Sequence, residues 1–182
     1  KRLASEGVKE LVLVAQETTL YGKDLTGEKQ LPLLLHELCK IEGIEWIRLL
    51  YCYPEEITDE LIKVIKTEEK VCNYIDMPIQ HSENRILQRM GRRTSREDLV
   101  AVIKKLRKEI PDITIRTTLI TGFPGESQED HEGLMNFVEE CQFDRLGVFT
   151  YSPEEDTLAA TFEDQIDEEV KEERRDELMS LQ

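Results

Sequence analysis

The chain has 182 residues, enough for one domain with a sizeable hydrophobic core. Its 24 basic and 39 acidic residues give a net charge of −15, which argues against nucleic-acid binding through a general positive field. No apolar run approaches the ~20 residues of a membrane span, so no membrane association is expected. The four cysteines stand far apart, a pattern typical of buried thiols in a reducing cytoplasm: Cys39, Cys52, Cys72 and Cys141.

Five strand-like segments alternate with amphipathic, helix-like segments along the chain. The predicted strands cover residues 10–14, 46–51, 74–77, 113–120 and 145–150. Thr58 and Ser127 are typical N-cap residues of helices, and Thr94 with Glu97 matches a capping box. Repeated strand–helix units predict a parallel sheet with right-handed crossovers.

The predicted strands have one apolar and one polar face. The apolar face comprises Leu11, Leu13, Ile47, Leu49, Ile75, Met77, Ile113, Ile115, Leu119, Leu146 and Val148. The opposite face comprises Val12, Val14, Gln16, Arg48, Asp76, Gln80, Arg116, Thr118, Arg145 and Gly147. A doubly wound open sheet is apolar on both faces, and a closed barrel fills its interior with apolar layers. The polar face therefore predicts a partial, more open (β/α) barrel that holds a polar ligand.

The segment 116–126, RTTLITGFPGE, is the most informative for function. It reads as a strand that ends at Gly122 and Gly125, followed by a helix that begins at Ser127. The carboxyl ends of strands are where α/β folds build their binding sites. An ordinary barrel enzyme that binds phosphate at this glycine turn is one hypothesis for the function.

Five motifs occur in a characteristic order. They are AQETTLYG at 15–22, IRLLYCYP at 47–54, DMPIQHSENRILQRMGRRTSRED at 76–98, RTTLITGFPGES at 116–127 and FDRLGVFTYSPEEDTLAA at 143–160. In this order and spacing they resemble the radical S-adenosylmethionine methylthiotransferases. AQETTLYG and QHSENRIL resemble the branch that modifies an aspartate of ribosomal protein uS12. The phosphate-binding hypothesis leaves four of these five motifs unexplained.

The resemblance implies a specific fold and domain organisation. The fold class is α/β, a partial (β/α) barrel of the radical SAM type that lacks its first β–α unit. Residues 1–166 would form a truncated core domain of five β/α units, and residues 167–182 the start of a helix that leads to a C-terminal domain. The family's Cys-x-x-x-Cys-x-x-Cys loop does not occur in these residues. The chain is therefore expected to be an inactive fragment of a longer enzyme, with no catalytic residue and no metal ligand of its own.

The resemblance also implies the reaction and its participants. The parent enzyme would transfer a methylthio group to the β-carbon of an aspartate in uS12, using S-adenosylmethionine and 4Fe–4S clusters, the clusters being bound by the parent only. Two alternatives are a transfer-RNA methylthiotransferase of the same family and a non-catalytic ligand-binding barrel. The expected partner is uS12 in the cytoplasm, without direct binding of nucleic acid by this chain. Self-association through the exposed edge of the first strand is a further hypothesis.

The family's cofactor site carries over to five polar or glycine residues of this chain and to Tyr151. Gln16 would bind the methionine amino group, and Gln80 the ribose or methionine groups. Arg116, together with Thr118, would bind the methionine carboxylate, to which the forked guanidinium is suited. Gly122 would let the backbone approach adenine. Each residue also has a purely structural alternative. The amides of Gln16 and Gln80 could cap loops, Arg116 could form an ion pair with Asp76, and Gly122 could belong to an ordinary β–α turn.

Aromatic and histidine side chains complete the set of candidates. Tyr151 and Phe149 share one face of the last strand, where either ring could stack near adenine or fill the barrel. His81 is expected to form hydrogen bonds rather than to transfer protons. His36 and His131 are predicted to be surface residues of helices.

Overall fold

Strands and helices alternate along the whole chain, which the structure, a computed structural model, describes from Lys1 to Gln182. The strands are β1 (Glu10–Leu13), β2 (Trp46–Leu49), β3 (Tyr74–Asp76), β4 (Thr114–Thr121) and β5 (Arg145–Thr150). β1 and β2 form a parallel two-stranded sheet, and a three-stranded sheet has the order β3–β4–β5, with β4 and β5 parallel. The predicted α/β class and all five predicted strands are confirmed, with small differences at their ends.

The helices agree with most of the predicted start signals. They are α1 (Arg2–Ser5), α2 (Lys23–Thr26), α3 (Leu31–Cys39), α4 (Asp59–Thr67), α5 (Asn84–Arg89), α6 (Arg96–Glu109), α7 (Gln128–Cys141) and α8 (Glu168–Ser180). Thr58 caps α4, because its hydroxyl accepts the Leu61 N–H. Ser127 caps α7 in a reciprocal capping box with Asp130. Every helix is too short or too polar to cross a lipid bilayer.

The capping box predicted for α6 is wrong by one residue. Ser95 Oγ accepts the Asp98 N–H at 3.2 Å, and Asp98 Oδ2 accepts the Ser95 N–H at 3.0 Å. The pairs Thr94/Glu97 and Ser95/Asp98 both fit the spacing of the motif. Thr94 is buried, so the cap is formed by its more accessible neighbour.

The residues group into two units by their internal packing. Unit 1 comprises residues 1–77 and 102–115, and unit 2 comprises residues 78–101 and 116–182. In unit 1, Ile47 and Leu49 of β2 are buried, as are Leu61 and Ile65 of α4. Burial of each such side chain contributes about 1.5–3 kcal/mol. The side chains of β1 on the other predicted face, Val12 among them, are exposed.

In unit 2, strand β4 shows the predicted alternation of faces. Leu119 and its neighbours Thr117 and Thr121 are buried, whereas Arg116 and Thr118 are half-buried. The buried stripe of α7 contains Leu134, Phe137, Val138 and Cys141. Helix α8 packs against β5 and α7, with Leu178 fully buried. Whether residues 167–182 lead to a further domain stays a prediction.

The prediction that His131 lies at the surface is wrong. Its side chain is fully buried, and its Nε2 lies 2.7 Å from Oε2 of Glu177 on α8. The charged composition of α8 did not indicate that this helix covers α7. His36 is exposed, as predicted, beside Glu68.

Candidate functional site

The open face of the β4–β5 pair in unit 2 is centred on Gly147. Thr118 is paired in register with Gly147, and Ile120 is paired with Phe149. A Cβ atom built on Gly147 would lie 3.9 Å from Arg116 Nη2, 4.0 Å from Thr118 Oγ1 and 3.8 Å from Phe149 Cε2. A guanidinium, a hydroxyl and an aromatic ring therefore surround the small space that the glycine leaves open.

This face is accessible as well as polar. Arg116 and Thr118 are half-buried, and Phe149 is 60% exposed. The prediction that Arg116, Thr118 and Gly147 share one face, opposite Leu119, is confirmed. Such a face can form hydrogen bonds to an anionic group and stack on a flat one.

Gln80 is attached to the same strand through its backbone. Its N–H donates to Thr118 O at 2.9 Å, and its carbonyl accepts the Ile120 N–H at 2.7 Å. Its φ of +71° lies in the left-handed region, which is uncommon for a residue with a side chain. A residue in this region costs on the order of 1–3 kcal/mol, and such residues cluster at functional sites. Gln80 is half-buried.

The turn after β4 is organised around the buried carboxylate of Glu126. Its Oε2 accepts the Gly122 N–H at 2.8 Å, and its Oε1 lies 3.3 Å from Thr121 Oγ1. Arg174 Nη1 of α8 donates both to Glu126 Oε1 and to the Glu126 carbonyl, each at 3.0 Å. The carboxylate thus connects the end of β4 to α8 within unit 2.

His81 faces the same carboxylate. Its Nδ1 accepts the Glu83 N–H at 3.0 Å, so the neutral imidazole carries its proton on Nε2. Nε2 lies 3.5 Å from Glu126 Oε2, at the outer limit of a hydrogen bond. Burial by itself raises the pKa of Glu126, but His81, Arg174 and the Gly122 N–H together outweigh it and leave the pKa below its ordinary value.

Gly122 and Tyr151 are both in contact with Lys171 of α8. Gly122 has a φ of +71°, and a Cβ there would lie 2.2 Å from Lys171 Cγ. Lys171 Nζ donates to the Tyr151 carbonyl at 3.1 Å. The Tyr151 ring is buried against Phe123 at a centroid distance of 5.2 Å, in a cluster with Ile86. The packing of α8 thus explains the need for glycine at position 122, and ligand contacts of Gly122 and Tyr151 stay predictions.

Gln16 lies in unit 1 and is exposed in the loop after β1. The next residue, Glu17, accepts the Thr19 N–H at 3.0 Å and the Tyr53 N–H at 3.4 Å with its Oε1. Its Oε2 is buried without a hydrogen-bond partner. Burial raises the pKa of Glu17 despite the lowering effect of these hydrogen bonds. The predicted role of Gln16 stays a prediction.

The cysteines do not form a metal centre. Burial raises the pKa of Cys39 to about 11 and also raises that of Cys52 and Cys72, so these thiols are protonated near neutral pH. No group of three or more His, Cys, Asp or Glu side chains could hold a metal ion. A cluster needs thiolates in a fixed arrangement, so the residues present do not fit an iron–sulfur cluster.

A family model described as the Radical SAM superfamily matches residues 1–138. The chain belongs to this superfamily. Curated relatives named ribosomal protein uS12 methylthiotransferase RimO are 64% identical over 182 residues in Lachnoclostridium phytofermentans and 60% identical over 182 residues in Clostridium perfringens. These alignments cover 100% of this chain, which spans 41% of the length of those relatives.

Two solved structures share the fold at low sequence identity. The radical S-adenosylmethionine methyltransferase TsrM from Kitasatospora setae, with cobalamin and a 4Fe–4S cluster bound, has a TM-score of 0.63 at 17% identity, over 82% of this chain and 29% of that chain. Streptococcus suis SuiB bound to the precursor peptide SuiA has a TM-score of 0.61 at 16% identity, over 99% of this chain and 37% of that chain. Both similarities support the radical SAM fold alone.

Four residues around the turn were not identified as functional candidates from the sequence. They are His81 in its role as a partner of a carboxylate, and Glu126, Lys171 and Arg174. The sequence signal that could have identified the two residues of α8 is the spacing of positions 171, 174 and 178. This spacing puts them on one face of the helix, and that face is buried.

Proposed function

We propose that this chain is the central part of an enzyme that attaches a methylthio group to an aspartate of ribosomal protein uS12, with S-adenosylmethionine and 4Fe–4S clusters as cofactors. Membership of the radical SAM superfamily and the names of the relatives support this reaction. The structural observation that carries the proposal is the convergence of Arg116, Thr118 and Phe149 on the space beside Gly147.

The finer fold in this proposal is a partial barrel without its first β–α unit. β1 has β2 as its only strand neighbour, so its other edge is available to a further strand. A preceding β–α unit would satisfy that edge in the longer protein. Self-association of the chain through this edge is the alternative, and it stays a prediction.

The residues on the β4–β5 face fit S-adenosylmethionine. The Arg116 guanidinium suits the methionine carboxylate, and the Thr118 hydroxyl can accept or donate a further hydrogen bond. The exposed Phe149 ring and the side chain of Ile120 offer apolar surface to a nucleoside. Gln80 is attached to β4 between Thr118 and Ile120, so its amide is a further candidate.

In the proposed reaction, the residues of this chain bind and orient. S-adenosylmethionine supplies the hydrogen-abstracting chemistry when it is bound beside a cluster. Arg116 would fix the charged end of the ligand, and Gly147 would leave room for it. Phe149 would cover the ligand and exclude water. The cluster ligands would come from residues outside these 182, because no group of three or more His, Cys, Asp or Glu side chains here could hold a metal ion.

Variants of Gly147 test this site in the full-length protein with reconstituted clusters. Gly147→Ala adds a Cβ at ordinary contact distances of 3.8–4.0 Å, whereas Gly147→Val fills the space between the three side chains. We expect S-adenosylmethionine to bind progressively more weakly from wild type to Ala to Val, with little change in stability. The control is Gly91→Ala, because Gly91 is exposed between α5 and α6 and a Cβ there meets no heavy atom within 4 Å.

The product identifies the substrate. We expect a methylthio group to replace one hydrogen of uS12, with the corresponding rise in mass, when it is incubated with the reconstituted enzyme, S-adenosylmethionine, a one-electron reductant and a sulfide source. Modification of transfer RNA instead would favour the related enzyme class and overturn the assignment of uS12. Binding of S-adenosylmethionine without any modified product from either substrate would favour a non-catalytic barrel.

A further inference from the structure

Helix α8 reaches the end of β4 through two buried cationic side chains. Lys171 and Arg174 lie one helical turn apart, and both share a buried face with Leu178. Lysine and arginine are rarely buried unless they are paired. Lys171 has the Tyr151 carbonyl and Glu168 as acceptors, and Arg174 has Glu126.

Arg174 acts on the strand end through Glu126. The guanidinium contacts both the carboxylate and the backbone carbonyl of Glu126, so it determines the position of the side chain and of the main chain together. The carboxylate in turn accepts the Gly122 N–H and faces the Thr121 hydroxyl. Thr121 is the last residue of β4. It directly follows Ile120, which lies on the proposed binding face.

The same carboxylate faces the side chain of the residue that follows Gln80. His81, the next residue, faces Glu126 at 3.5 Å and is fully buried. Gln80 has a left-handed backbone and is hydrogen-bonded to both Thr118 and Ile120. A strained backbone persists only where its surroundings determine it. The cluster of Arg174, Glu126 and His81 provides such surroundings.

We propose that Arg174 is a positioning residue for the binding of S-adenosylmethionine. Through Glu126 it holds the end of β4 and the left-handed Gln80 in the arrangement that presents Thr118 and Ile120 to the ligand. Arg174 acts through Glu126 rather than by touching the ligand. The inference rests on the proposed function, since it takes the same face as the ligand site.

Four forms of the full-length, cluster-loaded protein test the inference: wild type, Arg174→Gln, Arg174→Lys and Arg175→Gln. Arg175 is the matched control, because it is the next residue on α8 and pairs with exposed Asp176. Equilibrium dialysis measures the dissociation constant of S-adenosylmethionine at a temperature where circular dichroism shows all forms to be folded. We expect Arg174→Gln to weaken binding about tenfold, equivalent to ~1.4 kcal/mol.

The conservative variant separates positioning from general stability. A lysine at position 174 can still donate to Glu126, so Arg174→Lys is expected to regain most of the affinity, and Arg175→Gln to bind as wild type does. Hydrogen exchange of the peptide 118–126, measured without ligand, should be faster in Arg174→Gln only. If Arg174→Gln does not fold, Glu126→Gln is measured in its place. The amide keeps an acceptor oxygen for Arg174 but removes the negative charge, which weakens the pairing. Weaker binding of S-adenosylmethionine is again expected.

Two results overturn the inference alone. One is wild-type affinity in Arg174→Gln, and the other is a loss of affinity that Arg174→Lys does not restore. In both cases wild type still binds S-adenosylmethionine, so the proposed function is unaffected. Failure of all four forms to bind overturns the proposed function and this inference with it.

Discussion

Two glutamates, each in the loop that follows a strand, have opposite environments in the two units. In unit 2, both carboxylate oxygens of Glu126 have partners, and the pKa lies below its ordinary value because the donors and charges outweigh burial. In unit 1, Glu17 Oε2 is buried without a partner, and burial raises the pKa of that carboxyl. Each side chain accepts three hydrogen bonds, but those of half-buried Glu17 all reach Oε1, whereas buried Glu126 has donors on both oxygens and the cation Arg174 beside it.

The difference lies in how the two carboxylate oxygens of each glutamate are satisfied. The Glu126 carboxylate faces donors from β4, α8 and the segment around His81, although His81 Nε2 and Arg174 Nε are themselves buried without a hydrogen-bond partner. The loop after β1 leaves one acceptor of Glu17 unsatisfied within unit 1. A buried carboxylate is stabilising only where donors replace the water that it loses.

The largest expected effect is that of Glu126→Ala. This change removes the carboxylate that Arg174 and His81 face and leaves Arg174 only the backbone carbonyl of residue 126, which should lower the free energy of unfolding by about 3–5 kcal/mol. Urea unfolding curves measure the loss. The matched control is Asp176→Ala on the surface of α8, for which a change within ~0.5 kcal/mol is expected. Equal losses of unfolding free energy for Glu126→Ala and Asp176→Ala would mean that the buried carboxylate contributes no more than a surface one.

Two glycines with similar backbones sharpen the comparison. Gly122 in unit 2 has a φ of +71°, and Gly27 in unit 1 has a φ of +81°. A Cβ at Gly122 would overlap Lys171 Cγ at 2.2 Å, whereas a Cβ at Gly27 meets no heavy atom within 4 Å. Gly122→Ala should therefore cost about 2–4 kcal/mol and Gly27→Ala about 1 kcal/mol. Thermal unfolding midpoints that fall equally would contradict this expectation.

The pH dependence of stability should distinguish wild type from Glu126→Gln. The pKa of Glu126 is lowered on folding, so its stabilising contribution is complete above the ordinary value of 4.5 and is lost as the pH falls through the lowered pKa. We expect wild type to have a larger free energy of unfolding than Glu126→Gln at neutral pH, and this difference to shrink below pH 4.5. Chemical unfolding at several pH values measures this difference. An advantage that does not depend on pH would show that charge is not its cause.

The smallest effect is expected for Glu17→Gln. The pKa of Glu17 is raised on folding, so wild type gains stability as the pH falls through that raised pKa towards 4.5. At neutral pH the amide variant should therefore be as stable as wild type or more stable, by at most about 1 kcal/mol. Exposed Glu42→Gln is the control. A clear loss of stability at neutral pH would mean that Glu17 is stabilising as a carboxylate.

The sequence predicted what local periodicity determines. The alternation of Arg116, Thr118 and Leu119 along β4 placed the polar face correctly, and Gly147 was assigned to that face from its position in β5. The contact between Glu126 and Arg174 joins residues 48 positions apart, so no local pattern contained it. The burial of His131 likewise depends on α8, which is distant in the chain.

Gly147 has a consequence for how this region tolerates change during evolution. Its backbone does not require glycine, since it lies in a regular strand outside the left-handed region, and an added Cβ meets only ordinary contacts. Selection for folding alone should accept several residues at this position. Selection for ligand binding should accept few. A variant library sorted separately for soluble expression and for cofactor binding should therefore differ strongly at position 147.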